Sequence, residues 1–470
     1  MYRIQPVQKP SFIEAFLLTV AIIAVISASI IFLDAAPHVP LAIVLLALVL
    51  YGLMKNVSYK ILEGGIVEGA KSGMGAVFIF FFIGILVASW MLGGTIPTLV
   101  YAGFNLVTPN FYYVVVFVVT SFIGFFIGSS LTTIATVGVA FISISGAVDV
   151  SLAITAGAIV SGALFSDKMS PISDTTNMAS TTLNVDLFTH IRNMMWTTVP
   201  AFIVTLIIFA IISPQLQNAN FEQMKHFQAG LLDTGLIHWT NAVIPLAVLF
   251  ICSIIRMPAI LTLAAGSLSA IILSFINGST SIQHLFDVLM GGFVSDTGVE
   301  QIDSLLTRGG IESMLFTIGI ILLALSMGGL LFLLGIIPTL LESIEHLLRK
   351  TYQVITASAL TAIAVNVLIG EQYLSILLTG ETYQNQYEKV GLANKNLSRV
   401  AEDAGTVINP LVPWSVIGVF TATTLDVSTL AYLPFSFFCL ISPILTVFFG
   451  YTGWTLTYNS SSDTENGLTK

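Results

Sequence analysis

Charge is what this sequence has least of. Of its 470 residues 9% are Asp, Glu, Lys or Arg, 56% are hydrophobic, and the mean hydropathy is +0.94. Soluble domains carry about 25% charge, so a soluble enzyme is excluded. Sixteen Lys plus Arg against twenty-five Asp plus Glu give a net charge of -9, with no basic cluster. Nucleic acid, whose phosphates need such a cluster, is not a partner. The two cysteines, Cys252 and Cys439, both lie in apolar stretches and make neither a disulfide framework nor a zinc site. A nucleotide-binding loop is missing too, because Ala70 precedes Lys71-Ser72 where a Walker A motif requires Gly. Asp167-Lys168 resembles the start of the phosphorylated string of P-type pumps, but the sequence offers no soluble domain to bring nucleotide to it. An intramembrane protease would need HExxH or a Ser with a His partner, and neither is present. A passive channel, which conducts without a counter-ion, is the non-transporter alternative.

Long apolar runs are what the sequence does have. Phe12 to Leu33 is long enough for a full bilayer crossing and longer than a signal-peptide core. Further spans are expected at Val39–Met54, Met74–Leu92, Phe111–Ser129, Ile191–Ser213, Trp239–Ile255, Pro258–Asn277, Ser313–Leu334, Tyr352–Ile369 and Thr429–Tyr451. Their continuous apolarity predicts helices rather than the alternating strands of a barrel. Two stretches, 130–165 and 371–420, are apolar but interrupted by Gly, Ser, Thr, Asp and Pro. They read as broken or re-entrant helices, which membranes tolerate only inside protein or around a water-filled cavity. The connector Pro214–His238 and a disordered tail, 459–470, complete the chain.

The two halves repeat weakly. Gly75–Gly94 aligns with Gly310–Gly329 at an offset of 235, and Asp167-x-x-Ser170 meets Asp403-x-x-Thr406 at 236. The string IPTL at Ile96 recurs at Ile337, 241 positions on, and the Ile-Gly before Ser129 recurs before Glu371, 242 positions on. Lys55, Lys60 and Lys71 place the loop after the second span inside, whereas in the second half the basic pair Arg349-Lys350 follows the next helix instead. The halves are therefore expected to be inverted, each with five crossings and one re-entrant hairpin: 1–238 with 130–180 re-entrant, and 239–458 with 371–420 re-entrant. Lys389, Lys395 and Arg399 then fall outside, against the rule.

Secondary transporters of this design place their site where unwound segments of both halves meet. In the first half, GALFSDKMSPISDTTNM sets Asp167 and Asp174 among Ser170, Thr175 and Asn177, with Pro171 interrupting the helix. In the second, SRVAEDAGTVINPLVPWS carries Glu402, Asp403, Thr406 and Asn409 before Pro410 and Pro413. All-oxygen donors of this kind suit a hard cation such as Na+. Ser129, Ser130, Thr133, Asn366 and Glu371 are secondary candidates. Plainer roles compete: a helix cap for Asp174, helix packing for Ser130 and Thr133, a helix end for Glu371, and a pairing or edge role for Lys168. The six histidines read as loop or helix-end residues, not proton relays.

These segments, with GSSLTTIATVGVAF and DLFTHIR, closely resemble the signatures of NhaC-type Na+/H+ antiporters. The resemblance implies an all-α polytopic membrane protein with an elevator-like fold of inverted repeats in the bacterial inner membrane. It implies an exchanger of Na+ for H+ without a cofactor; some members couple both ions to small carboxylates, trading malate for lactate. Carried onto this chain, the family's motif residues are Asp167, Ser170, Asp174, Thr175, Asn177, Glu402, Asp403, Thr406, Asn409 and Trp414. Na+ is expected at Asp167, Asp174 and Asp403, with Asp167 or Asp174 as the carboxylate shared with the proton. Expected partners are lipid, Na+, H+ and, in the alternative reading, a small carboxylate; a homo-oligomer is left open.

Overall fold

Lipid cannot satisfy backbone polar groups, so the apolar runs close their hydrogen bonds within themselves and become helices. A computed structural model describes residues 4–33, 35–104, 111–171, 173–213, 228–255, 257–276, 280–296, 303, 306–345 and 349–459. Among these, eight helices are long and apolar enough to cross a membrane, and two bent pairs raise the number to ten. The protein is a multi-pass, all-helical membrane protein.

The first five helices are α1 (Phe12–Leu33), α2 (His38–Met54), α3 (Tyr59–Ser72), α4 (Met74–Leu92) and α5 (Thr95–Phe104). They pack with α11 (Trp239–Ile254), α12 (Ala259–Ile276), α13 (Ile282–Gly291), α14 (Ile311–Leu333) and α15 (Ile336–Glu345) into a frame centred on α14 and α4. Small residues let its helices approach closely: Gly69 of α3 lies against the backbone of Leu325 and Gly329 in α14, where a methyl group would collide.

The second body, here the core unit, holds α6 (Tyr112–Ile127), α7 (Ser130–Ala147), α8 (Leu152–Met169), α9 (Asp174–Thr182) and α10 (Leu187–Ile212). From the second half it takes α16 (Thr351–Ile369), α17 (Gln372–Lys389), α18 (Asn394–Leu411), α19 (Val416–Leu425), α20 (Thr429–Phe435) and α21 (Phe437–Thr452). The chain reverses between α6 and α7 at Gly128 and between α16 and α17 at Gly370, with φ of 70° and 76°. That left-handed conformation is open to glycine and ends both helices. Ser129 and Glu371 then cap the next helices, accepting from the backbone N–H of Thr132 and Leu374.

The two reversals enter from opposite ends. Tyr112, at the start of α6, donates to the carbonyl of Phe141 in α7, and Ser213, after α10, accepts from the Tyr113 N–H. The start of α16 lies at the other end of the unit, Tyr352 stacking on Tyr451 near the end of α21. There too Leu392 bridges Tyr458 and Asn193 donates to the Lys395 carbonyl. Lys389 and Lys395 thus share an end with Lys350, because α16 and α17 form a there-and-back pair.

Two expectations need correction and a third is met in part. The stretch 130–165 is not broken: α7 and α8 are each 18 residues long, and α7 absorbs its irregularity as a π turn at Ile134–Gly138. In 371–420 the expected break is present as a 43° bend between α18 and α19, after a π turn at Ala401–Thr406, while α17 is continuous. The last span, Thr429–Tyr451, bends by 57° at Ser436, after a 3-10 turn containing Pro434. The tail beyond Asn459 and residues 214–227 of the polar connector lie outside the described residues.

Candidate functional site

Helix α8 ends at Met169 because Ser170 turns to extended backbone and Pro171 has no N–H to continue the ladder. Asp167 and Lys168 therefore sit in a last turn with its carbonyls unsatisfied, and the Thr176 hydroxyl donates to the carbonyls of both, at 3.1 and 3.0 Å. Asp167 is buried, and its two carboxylate oxygens accept from Ser130 and Ser173, each at 2.6 Å. Ser130 thus binds the carboxylate directly, while Thr133 closes onto its own helix through the Ser129 carbonyl at 2.8 Å.

Lys168 is fully buried and pairs with Asp403, which is also fully buried. Thr197 of α10 donates to the same Asp403 oxygen at 3.1 Å, and Thr446 of α21 donates to the other. Phe438 lies under the ammonium, 5.7 Å from ring centroid to nitrogen. The pair joins the end of α8 to the π turn of α18 and so ties the two halves of the chain together.

Glu402, next to Asp403 in that π turn, is fully buried and neither of its carboxylate oxygens has a hydrogen-bond partner. The Thr406 hydroxyl one turn on lies near it, outside hydrogen-bond geometry, and is itself without a partner. Asp167, Lys168 and Asp403 are its charged neighbours. A π turn widens the helix by one residue and redirects side chains, a device common at functional sites.

The other expected residues fall into two groups. Asp174 is exposed and lines a cavity of about 280 Å³ with Ser129, Thr132 and Asn177 from the core unit and Met257 and Thr262 from the frame. It lies within electrostatic range of Asp167. The remainder fasten backbone: Asn177 donates to the carbonyls of Pro171 and Ser173, Trp414 to that of Val367, and Glu371 caps α17. Asn409 donates to Asn366 at 2.8 Å and accepts from the Ile417 N–H at 2.9 Å. Thr175 meets Ser173 at 3.0 Å, and the buried Ser170 hydroxyl has no partner.

Asp167, Asp174 and Asp403 do not converge on one ion: among the described residues no three Asp, Glu, His or Cys side chains gather as a metal site. The reason is Lys168, whose ammonium already occupies Asp403. Thr197 and Thr446, hydroxyls within apolar helices, left no trace in the sequence pattern. His190 lies at a helix end as expected, in the first turn of α10, but is fully buried there, its Nδ1 2.8 Å from the Ser398 hydroxyl.

The structure is thus that of a helical membrane protein whose two halves are joined by a buried ion pair. The Na+/H+ antiporter family matches residues 10–186 and 162–454. The chain is 41% identical to the Na+/H+ antiporter NhaC of Alkalihalophilus pseudofirmus, covering 93% of this chain and 95% of that one. It is 35% identical to NhaC of Bacillus subtilis, over 94% and 98% of the two chains. The malate-2H+/Na+-lactate antiporter of B. subtilis is 31% identical over 97% and 98%. The chain belongs to the Na+/H+ antiporter family, in its NhaC branch, and is a secondary transporter.

Proposed function

We propose that this protein exchanges Na+ for H+ across the bacterial cytoplasmic membrane, with Glu402 as the carboxyl that holds one ion or the other. The observation that carries the reading is that Glu402 is sealed from water without a single hydrogen-bond donor. An ionised carboxylate in that position is costly, so it is occupied by a proton or by a cation. The charge balance agrees: Asp167, Glu402 and Asp403 face one ammonium, Lys168. Na+ would take oxygens from Glu402, Asp167 and the Thr406 hydroxyl, which are hard donors. Asp403 stays with Lys168 as an internal counter-charge, and Asp174 draws cations into the cavity that it lines.

The matching order of elements supports an inverted repeat in which the core unit moves against the frame. Gly128 and Gly370, α7 and α17, and the prolines Pro171 and Pro413 are each 242 positions apart. In that register Asp167 corresponds to Asn409, not Asp403; one position out of it, 241 apart, Gly94 and Gly335 both have positive φ.

Exchange of small carboxylates is the second reading, prompted by the malate and lactate relative. The cavity at Asp174 is lined by that carboxylate with Ser129, Thr132 and Asn177, oxygen donors that suit a cation. Proteoliposomes with a trapped pH dye should report proton movement on addition of Na+ alone, without malate or lactate. Glu402→Gln should abolish that signal in a protein that still purifies as folded. Full exchange in both Glu402→Gln and Asp167→Asn would overturn the assignment.

A further inference from the structure

Frame and core unit meet along α14 and α19, α5 and α7, and α11 and α6. Most of this boundary is apolar, as expected for surfaces that slide. At the far end of α19 it is not. Arg308, in the connection before α14, sends its Nη1 across to the carbonyl of Thr424, 3.0 Å away in the last turn of α19. Beside it Thr317 of α14 donates to Thr423 at 3.2 Å. Asp426, the residue that ends α19, is the charged group facing Arg308.

Arg308 is mounted rigidly. Its backbone N–H and carbonyl exchange hydrogen bonds with Phe293 at 3.1 and 3.0 Å, and Gly310 two residues on donates to the carbonyl of Gly84 in α4. Gly309 and Gly310 have φ of 91° and 85°, and a methyl group on Gly309 would strike the backbone of Ala88. The arginine is thus fixed to the frame and reaches for a helix C-terminus, where carbonyls lack partners and the dipole favours a cation. A cavity of about 290 Å³ lies beside the contact, lined by Ser313, Thr423 and Asp426, and leaves room for it to open. The cavity at Asp174 is different: among the described residues, no hydrogen bond joins its frame and core-unit walls.

We infer that Arg308 is a clasp between frame and core unit, tying the end of the boundary at Thr424 and Asp426 while no hydrogen bond among the described residues ties the Asp174 end. Helix α19 continues from the bend after α18, so the clasp acts on the same segment that carries Glu402. This deepens the transport reading and rests on it: release of Arg308 is a step between the two access states, and its strength sets their populations.

Cysteine labelling in membrane vesicles tests the clasp. With the buried Cys252 and Cys439 replaced by Ala, Met257→Cys reports the Asp174 cavity and Ser313→Cys the clasp cavity. Arg308→Ala should slow labelling at Met257→Cys and speed it at Ser313→Cys, by about tenfold for a charge-assisted bond of ordinary strength. Arg308→Lys should restore part of the difference. If Arg308→Ala does not accumulate, Asp426→Asn should move both rates in the same directions by a smaller factor, since Asn tolerates the left-handed conformation there. Unchanged rates at both positions, or a rise at both together, would overturn the clasp. Vesicles without Na+-dependent proton movement but with reciprocal labelling changes would overturn the ion assignment and leave the clasp standing.

Discussion

Asp167 and Asn409 occupy the same position in the two halves, the third residue from the end of α8 and of α18, and each precedes a proline-containing break. The carboxylate receives two hydroxyls and keeps accepting capacity; the amide spends both ends on backbone and on Asn366. One half thus offers a group that can take a cation, and the other uses the equivalent group to fasten its own bend. Matching positions do not need matching chemistry: the second half places its carboxylates two turns earlier, in the π turn, where Asp403 meets the first half's Lys168.

The largest test of that arrangement is Lys168→Met. It leaves Asp403 buried without its counter-charge, and should destabilise the protein by about 3–5 kcal/mol, read as a fall in melting temperature in detergent. Adding Asp403→Leu should restore most of the stability without raising exchange above the single variant, because two apolar groups replace an ion pair at little cost. A stable single variant would mean that the pair holds nothing together.

Asn409→Asp asks whether the two positions are interchangeable. A carboxylate cannot donate to Asn366 or to the Gly370 carbonyl, so a loss of about 1–3 kcal/mol is expected, with no gain in Na+ affinity. Tighter Na+ binding in this variant would instead make the second half a dormant copy of the first. Raising pH should strengthen apparent Na+ affinity by up to about tenfold per unit, the limit for one proton competing at one site. A pH-independent affinity would separate the proton and Na+ sites. Asp174→Asn should have the smallest effect, raising the Na+ concentration for half-maximal exchange about threefold while the maximum rate holds, since an exposed carboxylate attracts ions only weakly.

Much of the fold was legible because hydrophobicity is local. Met74–Leu92 was placed to the residue and most other spans within one to four, since each run must satisfy its backbone alone. The register of the repeat was not legible in the same way. Offsets of 235 and 236 align Gly and Asp in an apolar background, while the IPTL and Ile-Gly matches, 241 and 242 apart, agree with the spacing of helix ends. The π turns were invisible as well, because one extra residue in a helical turn changes no composition. The bend at Ser436 was missed for a similar reason, as Pro434 lies inside an otherwise continuous apolar run.

What the sequence determined by itself was that the chain enters a membrane as helices and brings very few charges with it. Asp167, Asp174, Glu402 and Asp403 stood out because burying charge is expensive enough to need a reason. Only the tertiary structure decided how those four divide their roles. Glu402 and Asp403 are neighbours in sequence, but successive residues of a helical turn point in different directions. Asp403 faces Lys168, Thr197 and Thr446, while Glu402 is left with no donor at all. Which carboxylate is spoken for depends on helices hundreds of residues apart in the chain, and that information exists only once they are packed.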